Sequence, residues 1–483
     1  MSAHPNSTAS TASTAKSTYR KRKARAAARA DAARQAKAAE VQAMPIRRPH
    51  AAGIDIGSRS HWVCVGFTDQ DNSALVREFP AHTDGLRDLL DYLRQHKVTS
   101  VAMESTGIYW VPLFELLEAN GIEALLVDPS YTRQLRGRPK TDRRDAQWIY
   151  RLHSVGLLAG AFRPDERTTV LRSYLRQRST LLRYAGQHIQ HMQKALEQMN
   201  LKLTTVLSDI TGSTGRQIIA AILKGTRDPH KLAKLRDRRC KADEQQIAQA
   251  LTGSYRDEHL LALRLAYDAW QFYHKQIDKV DVQIQGQLER MKLDRALPPL
   301  KPRQRKRGRK ANDPGFDVRT ALYFVVGIDL TELEGLDETA ALVLISEIGT
   351  DMSKFPSVKH FCSWLGVCPL WKQTGGRVKS SRTRPGANRA ATMLRMAASS
   401  LHNSKGALGA YLRRMKGRLG AAQAVTATAH KLARLVYLAL KKGIQYVRVS
   451  AAEYEKEMRQ RQLDNLKRKA RQMGMQLVEM TPG

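Results

Sequence analysis

Acidic residues are scarce in this chain of 483 residues, which carries 45 Asp and Glu against 81 Lys and Arg, a formal charge of +36. So large an imbalance calls for a polyanionic partner, because each phosphate neutralised by Lys or Arg releases condensed counterions. Aromatic residues make up only 6%, which argues against the aromatic-rich amphipathic faces of a membrane-surface protein. The four cysteines, Cys64, Cys240, Cys362 and Cys368, form no C-x-x-C pair, so neither a zinc site nor a disulfide framework is indicated. No apolar run reaches the length of a membrane span, and the N-terminus lacks a hydrophobic signal core. The expectation is a cytoplasmic, nucleoid-associated protein with a nucleic-acid partner and no membrane partner. Its length is enough for two or three domains with real cores.

What is present divides into six stretches. Residues 1–48 are a basic low-complexity tail, either helical against phosphate or an unstructured solubilising arm. Residues 49–160 read as three strands (AAGIDIG, HWVCVGF, ALVREF), a helix N-capped by Thr83, a strand VTSVAMEST, a helix ending at Gly121, a strand IEALLVDP and a closing helix. That order is the one expected of an α/β ribonuclease-H-like (RuvC-like) domain. Residues 161–297 carry two long helices. In the second, Leu260, Leu263, Tyr267, Trp270, His274, Ile277, Asp281, Ile284, Leu288 and Met291 alternate steps of three and four. The pair predicts an antiparallel coiled-coil arm, with an ordinary helical domain as the alternative and with His274 and Asp281 setting register. Residues 298–316 are a basic linker, 317–450 a mainly α C-terminal domain, and 451–483 a charged terminal helix.

In a ribonuclease-H-like domain the first strand carries an aspartate, here Asp55, and the fourth ends in an acid, here Glu104. The closing helix supplies Asp142 and Asp145 from KTDRRDA, three residues apart and so on one helix face, where like charges repel. At an effective dielectric of about 20, two charges about 4 Å apart repel by roughly 4 kcal/mol, and a divalent cation turns that penalty into ligation. Magnesium prefers oxygen ligands, and two such ions clamp the attacking and leaving oxygens in phosphoryl transfer. Lys140, Arg143 and Arg144 are then free to face a phosphate backbone. Asp128 is a rival ligand or a helix cap beside Pro129. GIDIGS also resembles the phosphate loop of actin-like sugar kinases, but the charge and the lack of further Gly-rich phosphate loops stand against a kinase.

Near the C-terminus, CPLWKQTGGRVKSSRTRPGANR reads as a Pro-bounded loop. Gly375 and Gly376 let backbone approach a ligand, and Lys372, Arg377, Lys379, Arg382, Arg384 and Arg389 make it cationic. Its hydroxyls either bind phosphate or attack it. Asp55, Glu104, the K-T-D-x-x-D-A stretch, a helical arm, and Pro369 separated by four residues from Thr374-Gly375-Gly376 with Asn388-Arg389 beyond form a combination. It resembles the insertion-sequence transposases with a DEDD, RuvC-like domain, among them Piv-type invertases and bridge-RNA-guided recombinases. The resemblance covers about residues 50 to 460 and implies that Asp55, Glu104, Asp142 and Asp145 bind magnesium, with manganese as an alternative. It further implies a covalent serine–DNA link from the C-terminal domain, a structured guide RNA, and homodimers or homotetramers to which the arm contributes. The family's serine position falls here on Thr374, with Ser380 and Ser381 nearby. The expected function is therefore a DNA transposase or recombinase. The alternatives are a metal-dependent junction endonuclease using water and an inactive nucleic-acid-binding remnant.

Overall fold

The computed structural model describes residues 40–41, 43–67, 74–105, 107–128, 141–302, 308, 310–386, 388–447 and 451–476. Most of the basic tail, Lys140, positions 303–307 and 309 of the linker, and 477–483 of the terminal stretch lie outside the described residues. The chain forms two compact units, Met1–Arg163 and Pro164–Gly483.

The first unit holds β1 (Ala51–Ile56), β2 (Ser60–Phe67), β3 (Ala74–Pro80), α1 (Thr83–Gln95), β4 (Ser100–Glu104), α2 (Val111–Ala119), β5 (Glu123–Val127) and α3 (Asp142–Ser154). The sheet order is β3-β2-β1-β4-β5, with β1–β2 and β2–β3 antiparallel and β1–β4 and β4–β5 parallel. One face packs Ile54, Ile56, Val101 and Met103 against Leu89 and Leu93 of α1 and Leu113 and Leu117 of α2. The other packs Ala51, Ala102 and Val127 against Ala146, Ile149 and Tyr150 of α3. β1 and β4 are thus covered on both faces, which is why AAGIDI and SVAME are almost continuously small or apolar. This is the α/β ribonuclease-H-like architecture. One local expectation fails. α1 is capped by His82 rather than Thr83, because the imidazole Nδ1 reaches the Gly85 N–H at 3.2 Å, the group a capping hydroxyl would have taken.

The second unit is mostly helical. α4 (Glu166–Gln198) leads through α5 (Leu203–Val206), α6 (Ser213–Leu223), α7 (Pro229–Ala233) and α8 (Glu244–Ala250) to α9 (Asp257–Arg290). α4 and α9 run antiparallel along each other: the Gln287 amide donates to the Arg167 carbonyl, while Tyr184 and His188 meet Tyr273. The helices between them share one core with Met192, Leu196, Leu263 and Trp270. The buried apolar spacing of α4 skips from Leu175 to Leu181, and Arg178 fills the gap. Its guanidinium, 5% exposed, meets the Asp281 carboxylate at 2.5 and 3.3 Å and donates to the Asn312 carbonyl at 3.1 Å. Asp281 also accepts the Gly315 N–H at 2.9 Å.

Beyond these lie α10 (Val318–Val326), α11 (Glu338–Ile348), α12 (Val358–Leu365), a hairpin of β6 (Lys372–Thr374) and β7 (Arg377–Ser380), α13 (Arg389–Ser400), α14 (Ala407–Leu419), α15 (Ala421–Lys442) and α16 (Ala451–Gln472). Arg172 and Arg176 of α4 hold the end of α11, donating to the Ser346 and Glu347 carbonyls and to the Glu347 carboxylate. No helix among the described residues is long and apolar enough to cross a membrane.

Candidate active site

Strand register positions the first two acids. In the parallel β1–β4 pair Gly53 lies beside Ala102 and Ile54 beside Met103, so the next step sets Asp55 beside Glu104. Side chains alternate along a strand. Asp55 therefore shares the face of Ala51, and Glu104 that of Ala102, both of which pack under α3.

The path of α3 brings the other two acids to the same end of the sheet. Its last residue, Ser154, accepts the N–H groups of Arg47 and Arg48, just ahead of β1, at 2.8 and 2.9 Å. His153 shares a 2.8 Å hydrogen bond with Ser100 at the start of β4. With its C-terminus tied to the strand starts, α3 runs antiparallel to β1 and β4 and begins where they end. Gly53 makes the crossing possible: a Cβ there would lie 2.0 Å from the Tyr150 nitrogen and 2.6 Å from the Ala146 oxygen. From Tyr150 back to Asp145 the helix spans about 7 Å, and from Gly53 on to Asp55 the strand also advances about 7 Å. Asp145 is thereby level with Asp55.

The α3 cap is Thr141, whose hydroxyl takes the Arg144 N–H at 3.4 Å. Asp55, Glu104 and Asp145 are half-buried and Asp142 is exposed, as are Arg143 and Arg144. Among the described residues no three acidic, His or Cys side chains lie close enough together to hold a metal ion. The four acids share one end of the sheet without forming a closed ligand set. Asp128 follows Val127, the β5 partner of Glu104. Val127 packs under α3, so alternation carried one residue further turns Asp128 to the opposite face.

The anchor at the other end of α3 is polar and buried. His153 is 1% exposed, and its pKa is pushed down to about 4, first by burial and then by the Arg48 guanidinium. Arg48 in turn bonds Ser100 at 3.0 Å and Glu123 at 3.1 Å.

The stretch around Thr374, expected as a loop, is instead a two-stranded antiparallel ribbon. Gly375 and Gly376, with φ of 54° and 75°, form the two-residue turn that joins twisted strands, for which positive φ at both positions is required. Thr374 pairs with Arg377 and closes that turn. It is exposed, and its hydroxyl makes no hydrogen bond among the described residues. Ser380 pairs with Lys372, and its Oγ accepts the Arg382 N–H at 3.3 Å; Ser381 is exposed. Lys372, Arg377, Lys379, Arg382 and Arg384 are all exposed along the ribbon. Arg389 differs from these: as the first residue of α13 it lies 3.7 Å from the Glu347 carboxylate that Arg172 and Arg176 also hold. Two contributors went unrecognised in the sequence. Gly53 had a signal, a glycine inside a strand, which marks close backbone approach. Trp371, 65% exposed beside Lys372, had none beyond its company of cations.

Residues 52–201 match a family model for DEDD transposases of the IS110 type, described as a transposase, and residues 329–413 match one described as transposase IS116/IS110/IS902 family. No curated protein matches the chain. The first match opens within β1 and spans all four acids, and the second takes in the whole Thr374 ribbon. Over these two segments the chain is similar to insertion-sequence transposases, and the matches support a DNA-binding enzyme of DNA recombination.

Proposed function

We propose that the chain cuts and rejoins DNA through a covalent link between Thr374 and a DNA phosphate. The Thr374 oxygen attacks the phosphorus of a phosphodiester and gives up its proton. A threonine oxygen–phosphorus bond forms, the bond to the leaving sugar oxygen breaks, and that oxygen takes up a proton. Attack by a second DNA hydroxyl on the phosphothreonine reverses the step, frees Thr374 and rejoins the strand. Asp55, Glu104, Asp142 and Asp145 would hold magnesium or manganese, whose preference for oxygen donors these carboxylates fit. Bound there, the ion supplies Lewis-acid stabilisation of charge on the phosphate oxygens. Arg143 and Arg144, with Lys140, and the ribbon cations Lys372, Arg377, Lys379, Arg382 and Arg384 grip the backbone, and Gly375 and Gly376 give the phosphate room to approach.

The observation that carries this reading is the register placing Asp55 beside Glu104 with the start of α3 at the same sheet end. The test is to denature complexes formed on the element's own flanking DNA in magnesium buffer and map any protein–DNA adduct by mass spectrometry. An adduct on Thr374 is expected. One on Ser380 or Ser381 would move the nucleophile, and cleavage with no trapped adduct would replace it with water. That second reading, a water-using endonuclease, draws on the secondary alcohol of Thr374, whose extra methyl crowds attack; Thr374→Ala would leave such an enzyme active.

A structured RNA partner and assembly as a homodimer or homotetramer are part of the same proposal, supported by the family resemblance and by the charge of +36. Protein that purifies without discrete RNA and rejoins DNA unaided would remove the guide. If acids and hydroxyl meet from different copies, mixing Asp55→Asn with Thr374→Ala protein restores activity that neither has alone.

A further inference from the structure

The ribbon has two unlike faces. Next to the turn, Thr374 and its partner Arg377 lie on one. Gln373 and its partner Val378 lie on the other, and a register shift separates them from Lys372, which follows Trp371. Trp371 is 65% and Val378 52% exposed, and of the six tryptophans only Trp371 is exposed. An indole is among the most favourable groups to bury, so one held outward on a ribbon is suited to a partner surface. The partner's charge is constrained: from Gly366 to Asn388 there is no Asp or Glu, but there are Lys372, Arg377, Lys379, Arg382 and Arg384. A second copy of the same ribbon would meet five like charges, whereas DNA brings phosphates for the cations and π-faces for the indole.

We infer that Trp371 is a stacking platform for an unpaired DNA base. The cations of the ribbon hold the phosphate backbone while the indole holds the base. The inference rests on DNA as the partner and not on Thr374 as the nucleophile. Apolar side chains inserted at base steps and aromatic platforms for single strands are both established ways for proteins to hold opened DNA.

The experiment is a binding titration of the full chain with single-stranded oligothymidylate, in EDTA so that no chemistry intervenes, followed by tryptophan fluorescence and repeated over a salt series. Wild-type fluorescence should be quenched on binding. Trp371→Ala should lose that quench and weaken binding about 5- to 150-fold, the ~1–3 kcal/mol measured for base–aromatic stacking. Trp371→Phe should recover most of the affinity. The slope of log affinity against log salt should be the same in Trp371→Ala, because no phosphate contact is removed, and shallower in Arg377→Ala. Wild-type affinity in Trp371→Ala, or a salt slope that falls with it, would overturn the inference. So would a Trp371→Ala protein that sediments as a smaller species without DNA, which would make the ribbon an interface between copies. A chain that binds oligothymidylate through Trp371 but never forms a covalent adduct would sink the proposed reaction and leave this site standing.

Discussion

Gly53→Ala tests the geometry on which the acid site depends. The added methyl carbon would lie 2.0 Å from the Tyr150 nitrogen, 2.5 Å from its Cα and 2.6 Å from the Ala146 oxygen, all backbone atoms of α3 that no rotamer change can move aside. Restoring a contact of about 3.4 Å requires the helix to retreat by more than an ångström. Overpacking of this kind costs about 1–3 kcal/mol. Because Asp142 and Asp145 travel with α3, a shift of that size should cost roughly 100-fold in DNA cleavage. Hydrogen exchange of the α3 peptide in the full chain reads the first effect, and a cleavage time course reads the second. Gly186→Ala is the control: it sits inside α4 with nothing within 4 Å of the new carbon, and should be neutral or stabilising by about 0.5–1 kcal/mol. If Gly53→Ala kept wild-type protection in α3 and wild-type cleavage, the placement of the acids by close helix–strand approach would be wrong.

Three further outcomes follow from the same structure. Asp281→Leu leaves the Arg178 guanidinium buried beside an apolar group and should cost about 3–5 kcal/mol in thermal unfolding, most of which Arg178→Met should restore in the double variant. His153 titrates near 4 in the folded chain and near 6.5 when unfolded, so its contribution is full above about 6.5, drains as the pH falls and is gone below about 4. The loss amounts to about 3 kcal/mol, and His153→Gln should flatten the stability–pH curve in that window. Thr141→Ala removes the α3 cap at a cost of about 1 kcal/mol, while Thr141→Asn retains it; if the first turn positions the acids, only the alanine variant loses cleavage.

The element order of the first unit was legible because its signals are local. Alternation and turn residues mark β1 to β3, leucine spacing marks α1, and an acid in GIDIG and another at the end of VAMEST fall where that order needs them. The parts that were not legible depend on residues far apart in sequence. Nothing near Gly53 announces that Tyr150 will lie against it, although a glycine in a strand hinted at some close approach. Arg178 broke the apolar spacing of α4, and only its meeting with Asp281, 103 residues away, shows that the break is a buried ion pair. In the Thr374 stretch the bounding prolines suggested a loop, yet the Gly375-Gly376 pair is itself a hairpin signal, and the strands it joins are simply short.

Why the paired aspartates sit at the start of a helix follows from comparing two small energies. Like charges three residues apart destabilise a helix by about 0.2–0.5 kcal/mol. A carboxylate in the first turn gains about 0.3–1 kcal/mol from the helix dipole, and here there are two. The favourable effect wins, so the N-terminus of α3 is one of the few places in a folded chain where two acids can stand together before any cation arrives. The same turn also sorts the charges by direction. At 100° per residue, Asp142 and Asp145 lie about 60° apart, while Arg143 and Arg144 fall on the opposite arc. With Asp145 half-buried and both arginines exposed, a single turn sets two carboxylates at the sheet end and two guanidinium groups in solvent.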